Sequence, residues 1–171
     1  MPPQEIRDVA GQLESARAEL ILVVSSLTDV QARTRPAPDR WSVLECLEHV
    51  NFVERRFLAM VRASETATPA HRDAAKEAAL KERVLDRSNP RTAPEAVRPA
   101  GKYESVAEAL QEFNTARDET LRFASEQGPN LVSRSATHLA LGPLNGVEAL
   151  LLIADHGRRH TAQIREAAEG R

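Results

Sequence analysis

The chain has 171 residues, a formal net charge of −2 and a single cysteine, Cys46. That length suits one domain with its own core, expected to span residues 1–171, and one thiol excludes both an internal disulfide framework and a cysteine-rich zinc site. Its 20 arginines and 3 lysines are scattered and balanced by 25 acidic residues, so no basic stripe of a nucleic-acid binder stands out, and the longest apolar run, LILVV at 20–24, is far too short for a membrane span.

Apolar residues recur at helical spacing in four long segments. The first runs from about Gln4 to Leu27, with Pro3 suited to its first turn and Ile6, Val9, Leu13, Leu20, Val23, Val24 and Leu27 as its stripe. Residues 28–41, TDVQARTRPAPDRW, carry two prolines and read as a loop. The second helix opens at WSVLE. There Ser42 and Glu45 have the spacing of a capping box, in which each side chain serves the other's free backbone N–H. Trp41 precedes the cap as an apolar clamp, and the helix runs to about Ala63 with Val43, Leu47, Val50, Phe57 and Val61 inward.

Residues 64–104 form a long connection holding Pro69, Pro90, Pro94 and Pro99. Within it RDAAKEAALKERVL reads as a short polar helix supported by Glu77 and Lys81 at i,i+4. The third long helix opens at ESVAE, where Ser105 and Glu108 repeat the box. It carries Leu110, Phe113, Leu121 and Phe123 and ends at EQGPN. Residues 128–145 read as a loop. The fourth helix opens at NGVE, with Asn145 and Glu148 as a third box, and passes Leu150, Leu151, Ile153 and Ile164 to about Ala168. Four such helices predict an all-α four-helix bundle. A connection as long as 64–104 lets the third helix run parallel to the second, giving an up-down-down-up order. The start MPPQEIRDV lacks the basic-then-apolar order of a signal peptide, so a cytoplasmic location is expected.

Two of the five histidines, His156 and His160, stand four apart in HGRRHTAQI. Neighbours at that spacing share a helical face, which makes a metal clamp. The same spacing also arises on half-buried helix surfaces, where it carries no function. His49 lies about 10 Å into the second helix, and His160 about 12 Å from the end of the fourth. Antiparallel packing of those helices brings three imidazoles to one depth. Three neutral nitrogens with an open position are a catalytic arrangement for zinc, and imidazole also suits nickel, iron and copper. HGRRH has Gly157 where a metalloprotease helix carries its general-base glutamate, and no Glu-x-x-His of a di-iron bundle occurs.

Other candidates surround this trio. Gln163 shares the face of His156 and His160 and is a candidate donor to a substrate or a metal-bound water; an interface amide is the other reading. Arg56, two turns after His49, is a candidate for a substrate carboxylate. His138, in the loop before the fourth helix, is a candidate at the cavity or a structural loop residue, and His71 is expected in solvent. Glu45 serves its cap and is also a candidate acceptor for the His49 ring. Cys46 reads as a packed apolar residue. Asp155 and Arg159, at i,i+4, read as a surface ion pair.

The segments WSVLECLEHV at 41–50, APEAVRPAGKYESVAEALQEFNTAR at 93–117 and HLALGPLNGVEALLLIADHGRRHTAQI at 138–164 resemble the DinB-like superfamily of DNA-damage-inducible metal-binding bundles. The resemblance covers nearly the whole chain. Its sharpest elements are Trp-Ser followed by His49, and His-x-x-x-His followed by Gln-Ile. The family's three metal histidines fall on His49, His156 and His160. The resemblance implies the four-helix fold, frequent homodimers and a divalent metal, often zinc or nickel. It also implies kinship with bacillithiol- and mycothiol-dependent transferases, which use low-molecular-weight thiols. This chain has His138-Leu139 where relatives often show His-Pro. The leading expectation is a metal-dependent enzyme of S-transferase type with a thiol cosubstrate and a small-molecule substrate, without nucleic-acid or membrane partners. The alternatives are a metal-dependent hydrolase, a non-catalytic metal-binding stress-response or interaction module, and a metal-free bundle whose histidines are incidental.

Overall fold

A computed structural model describes residues 3–64, 71–88 and 92–170. Pro69 and Pro90 of the long connection lie outside them. The helices are α1 (Pro3–Val24), α2 (Asp29–Arg33), α3 (Val43–Ala63), α4 (Ala74–Leu85), α5 (Val106–Gln127) and α6 (Gly146–Ala168). Capping chemistry sets several of their starts. Ser42 and Glu45 form the reciprocal box that opens α3, and Asn145 and Glu148 the one that opens α6. The third expected box is only half made. Ser105 accepts from the Glu108 amide, but the Glu108 carboxylate takes the N–H of Glu104, one residue before the cap.

The loops hold more structure than their composition announces. α2 has its own capping box, Thr28 with Gln31, inside a stretch too short to show a helical period. Residues 128–145, expected as plain loop, contain a 3-10 turn at Gly128–Ser133 and a hairpin. Its strands β1 (Ser135–His138) and β2 (Gly142–Asn145) pair antiparallel, with Ser135 opposite Asn145. Gly146 is required where this segment meets α6, because a Cβ there would lie 2.1 Å from the Leu131 carbonyl oxygen.

The four long helices form a ring in which α1 and α3 each pack against α5 and α6. Arg40, before α3, reaches Glu166 near the end of α6, while Arg134, before α6, reaches Ser64 after α3; these two helices are antiparallel. Asn51 donates to Ala109 and Arg62 to Glu119, so α3 and α5 are parallel. Arg117 of α5 reaches Leu13 of α1, and Asp29, beyond the end of α1, accepts the Val106 amide at the start of α5, so those two are antiparallel. The order is therefore up-down-down-up, with the crossover between α3 and α5. Val9, Leu13, Phe57, Leu150 and Ile153 fill one part of the core, and Leu20, Leu47, Val50, Phe113 and Ile164 the other. Among the described residues no helix is long and apolar enough to cross a membrane.

A buried ion pair crosses the bundle. Arg117 donates from Nε and Nη2 to the two carboxylate oxygens of Glu54, both at 2.9 Å, and from Nη1 to the Leu13 carbonyl. Thr120 donates to Glu54 as well, at 2.9 Å. Two expected ion pairs are replaced. Glu77 takes Arg72 rather than Lys81. Asp155 is buried rather than surface-exposed and accepts from Arg158 at 3.0 Å, while Arg159 turns to the carbonyls of Val84 in the last turn of α4 and Asp86 just after it.

Candidate metal centre

The antiparallel pairing of α3 and α6 brings His49 against the one-turn pair His156 and His160. One ring nitrogen from each lies within 4.8 Å of the others. The closest pair is His49 Nε2 and His156 Nε2, 3.2 Å apart. His49 and His160 are buried and His156 is half-buried. Trp41 closes one side, its ring centroid 5.0 Å from that of His49 and 6.3 Å from that of His160, nearly parallel to the latter.

Hydrogen bonds on the far side of two rings fix their tautomers. His49 Nδ1 is 2.7 Å from the Val97 carbonyl oxygen, which can only accept, so Nδ1 carries the proton and Nε2 a lone pair. His160 Nδ1 is 3.0 Å from Gln163 Oε1, and the same reasoning leaves its Nε2 bare. The His49 lone pair faces His156 Nε2, 3.2 Å away. Neutral His156 can turn at most one N–H inward.

Burial favours the uncharged rings. It lowers His49 below its ordinary value of 6.5, with the Val97 bond opposing. Burial also pushes His160 down to about 3, assisted by His49, Arg159 and Arg87 against the Gln163 bond. His156 falls well below 6.5 through burial first, then through His160, His49 and Arg159. All three are therefore neutral at pH 7, the state in which imidazole binds a metal. The donor set fits a divalent ion. Two nitrogens on one tetrahedral zinc, each about 2.0–2.1 Å from it, stand about 3.4 Å apart, close to the 3.2 Å found here. Outer acceptors that orient ligand imidazoles, as Val97 and Gln163 do here, are the usual support of such a site.

The remaining candidates fall elsewhere. Gln163 accepts from His160 and so orients the ring instead of donating to a ligand. Glu45 is not the acceptor of His49. Its carboxylate takes the Ser42 amide at 2.8 Å and Arg35, and these bonds hold it below its ordinary pKa although burial pulls the other way. Arg56 is exposed, and so is His71. His138 is half-buried on Phe57 at 5.6 Å between centroids, and its Nδ1 accepts from the amides of Ala140 and Leu141 at 3.0 and 3.1 Å. Cys46 is fully buried, and desolvation, with Glu45 beside it, pushes its thiol up to about 12. No carboxylate or thiol among the described residues joins the three histidines. The Val97 carbonyl escaped sequence reasoning, since a backbone atom 48 positions away leaves no mark on residue type. Trp41, read only as a clamp on its helix, also walls the cluster.

Comparison with known proteins bears on the family and the fold. The profile of the DinB superfamily matches residues 12–164. The uncharacterized protein YuaE of Bacillus subtilis (strain 168) is 23% identical over 154 residues, covering 90% of this chain and 93% of its own. The structure of YfiT from Bacillus subtilis superposes with a TM-score of 0.62 at 18% identity, covering 99% of this chain and 89% of its own. YfiT is described as a probable metal-dependent hydrolase with an unusual four-helix bundle topology. At that identity the likeness establishes the fold.

Proposed function

The chain belongs to the DinB superfamily, and from that premise we propose that it is a metal-dependent enzyme using a low-molecular-weight thiol, with His49, His156 and His160 holding a divalent ion. Zinc or nickel suits three imidazoles. Bound there, the ion supplies Lewis-acid activation of a small nucleophile at neutral pH. The observation that carries the reading is the convergence of one nitrogen from each of three neutral rings within 4.8 Å, with the Val97 carbonyl holding the His49 proton on the far side of its ring.

The chain's own residues position and shield. Val97 and Gln163 orient two rings, and Trp41 keeps water from one side. Cys46 is no nucleophile, because its thiol is buried and stays protonated. No carboxylate among the described residues joins the cluster to take a proton, which favours a nucleophile that ionises readily, and a free thiol, with a pKa of about 8.5, does so far more easily than water. Hydrolysis is the second reading, supported by the description of YfiT.

The test offers zinc- or nickel-loaded protein small thiols with epoxide, halide and maleyl electrophiles, and in parallel esters and amides without thiol. The expected result is turnover that needs both metal and thiol, survives Cys46→Ala and disappears in His160→Ala while circular dichroism stays helical. Turnover without thiol favours hydrolysis. Failure of the stripped protein to take up metal overturns both readings.

A further inference from the structure

Two adjacent residues of α3 grip the same stretch of the crossover. His49 Nδ1 donates to Val97 at 2.7 Å. Glu48 accepts three consecutive backbone amides a few residues on, from Ala100 at 2.8 Å and from Gly101 and Lys102 at 2.9 Å each. The sequence PAGK builds this grip. Gly101 has φ +81°, in the left-handed region that glycine enters without strain, and successive N–H groups then point into one concavity that suits an anion. A carboxylate of the chain itself fills it. Upstream, the short 3-10 turn Glu95–Val97 is closed by Val97 N–H to Pro94 and Arg98 N–H to Glu95, at 3.0 and 3.1 Å. The Val97 carbonyl therefore sits between a closed turn on one side and an anchored turn on the other.

We propose that Glu48 is a positioning residue for the metal centre: by anchoring residues 100–102 it holds the Val97 carbonyl where it fixes the tautomer of His49. The inference rests on the metal reading above, yet its first consequence needs no metal. Without the anchor, the hydrogen bonds that tie this stretch to α3 among the described residues are the one Val97 accepts from His49 and, beyond Lys102, the one Tyr103 accepts from Asn51, and that imidazole is free to carry its proton on Nε2, the nitrogen a metal needs bare. Reciprocity follows, because a ligand that requires one tautomer must also stabilise the segment that imposes it.

The experiment compares wild type with Glu48→Ala and Glu48→Gln. Glu48→Gln keeps an amide oxygen for some of the three N–H groups. In metal-free protein, 15N NMR of the imidazoles reads the tautomer of His49. The expected result is the Nδ1–H form in wild type, a mixture with Nε2–H in Glu48→Ala, and an intermediate population in Glu48→Gln. Zinc titration of the same three proteins should show Kd raised about 10–100-fold in Glu48→Ala, with a smaller rise in Glu48→Gln. Hydrogen exchange at 100–102 should slow on zinc binding in wild type. A Glu48→Ala protein that keeps the Nδ1–H tautomer and wild-type zinc affinity overturns the inference and leaves the metal reading intact. A wild type that takes up no zinc overturns the metal reading, and the tautomer measurement then still decides the role of Glu48.

Discussion

The bundle buries two polar clusters on the same helix, five residues apart on α3, and they are finished differently. Around Glu54 every strong group has its partner: both carboxylate oxygens take Arg117, Thr120 adds a third bond, and the remaining guanidinium nitrogen reaches Leu13. Around His49 the outer nitrogens of His49 and His160 are served by Val97 and Gln163, which leaves at most one N–H, that of His156, to face the centre of three neutral rings. A buried polar cluster that closes on itself is structure. One that is served on its outside and gathers neutral imidazoles at its centre suits a ligand from outside the chain. Burial alone does not separate them, since Arg117, Glu54, His49 and His160 are all buried.

The largest expected effect breaks the closed cluster. Glu54→Ala leaves the Arg117 charge buried and unpaired, and denaturant unfolding in chelator should show a loss of about 3–5 kcal/mol. The double change Glu54→Leu with Arg117→Met removes both charges and should come out near neutral or stabilising by up to about 4 kcal/mol. A double variant as unstable as Glu54→Ala would mean that the pair itself holds the helices in place.

The open cluster should respond to its ligand instead. At free metal of 100 times Kd, binding adds about 2.7 kcal/mol to wild-type stability. Chelator should remove this increment from wild type and change nothing in His160→Ala. Thermal melts that shift equally in both proteins would place the ion elsewhere.

A separate effect appears with pH in metal-free protein. The histidines have folded pKa values below the unfolded 6.5, His160 at about 3. Between those values the unfolded chain binds more protons, so stability is complete above pH 6.5 and is lost as pH falls toward the depressed values. Each fully shifted histidine contributes a slope of up to about 1.4 kcal/mol per pH unit. Stability measured from pH 7.5 to 4 in chelator should fall less steeply in His160→Ala than in wild type, since carboxylates titrate in both. Equal slopes would show that His160 is protonated as readily folded as unfolded.

The smallest effect lies where the clusters meet. Gly157 follows His156, and a Cβ there would lie 3.8 Å from Arg117 Nη2, an ordinary contact. Gly157→Ala removes the glycine cost in a helix interior and should stabilise by up to about 1 kcal/mol, with zinc affinity unchanged. A destabilised Gly157→Ala would show that the Glu54–Arg117 pair tolerates no added neighbour.

The sequence discloses these regions unequally for physical reasons. The helices of the bundle are legible because stripes and caps are local, Ser42 with Glu45 and Asn145 with Glu148 above all. The up-down-down-up order is legible from the length of the 64–104 connection. The shared face of His156 and His160 follows from spacing, and the approach of His49 from depth along an antiparallel partner. What cannot be read is whatever depends on a partner distant in sequence. Glu54 and Arg117 look like ordinary helix charges until α3 and α5 are placed side by side. Asp155 looks paired with Arg159 because both suit i,i+4, yet the carbonyls that end α4 claim Arg159 and leave Asp155 to Arg158. Glu45 looks available to His49 until Arg35 takes it. The hairpin strands, four residues each, are too short to display a period.

The measurement closest to the central claim is a calorimetric zinc titration of chelator-stripped protein, wild type beside His160→Ala. One ion per chain is expected in wild type and no binding of comparable affinity in the variant, with both proteins equally helical. A wild type that binds no zinc or nickel, or a variant that binds as tightly as wild type, would contradict that claim.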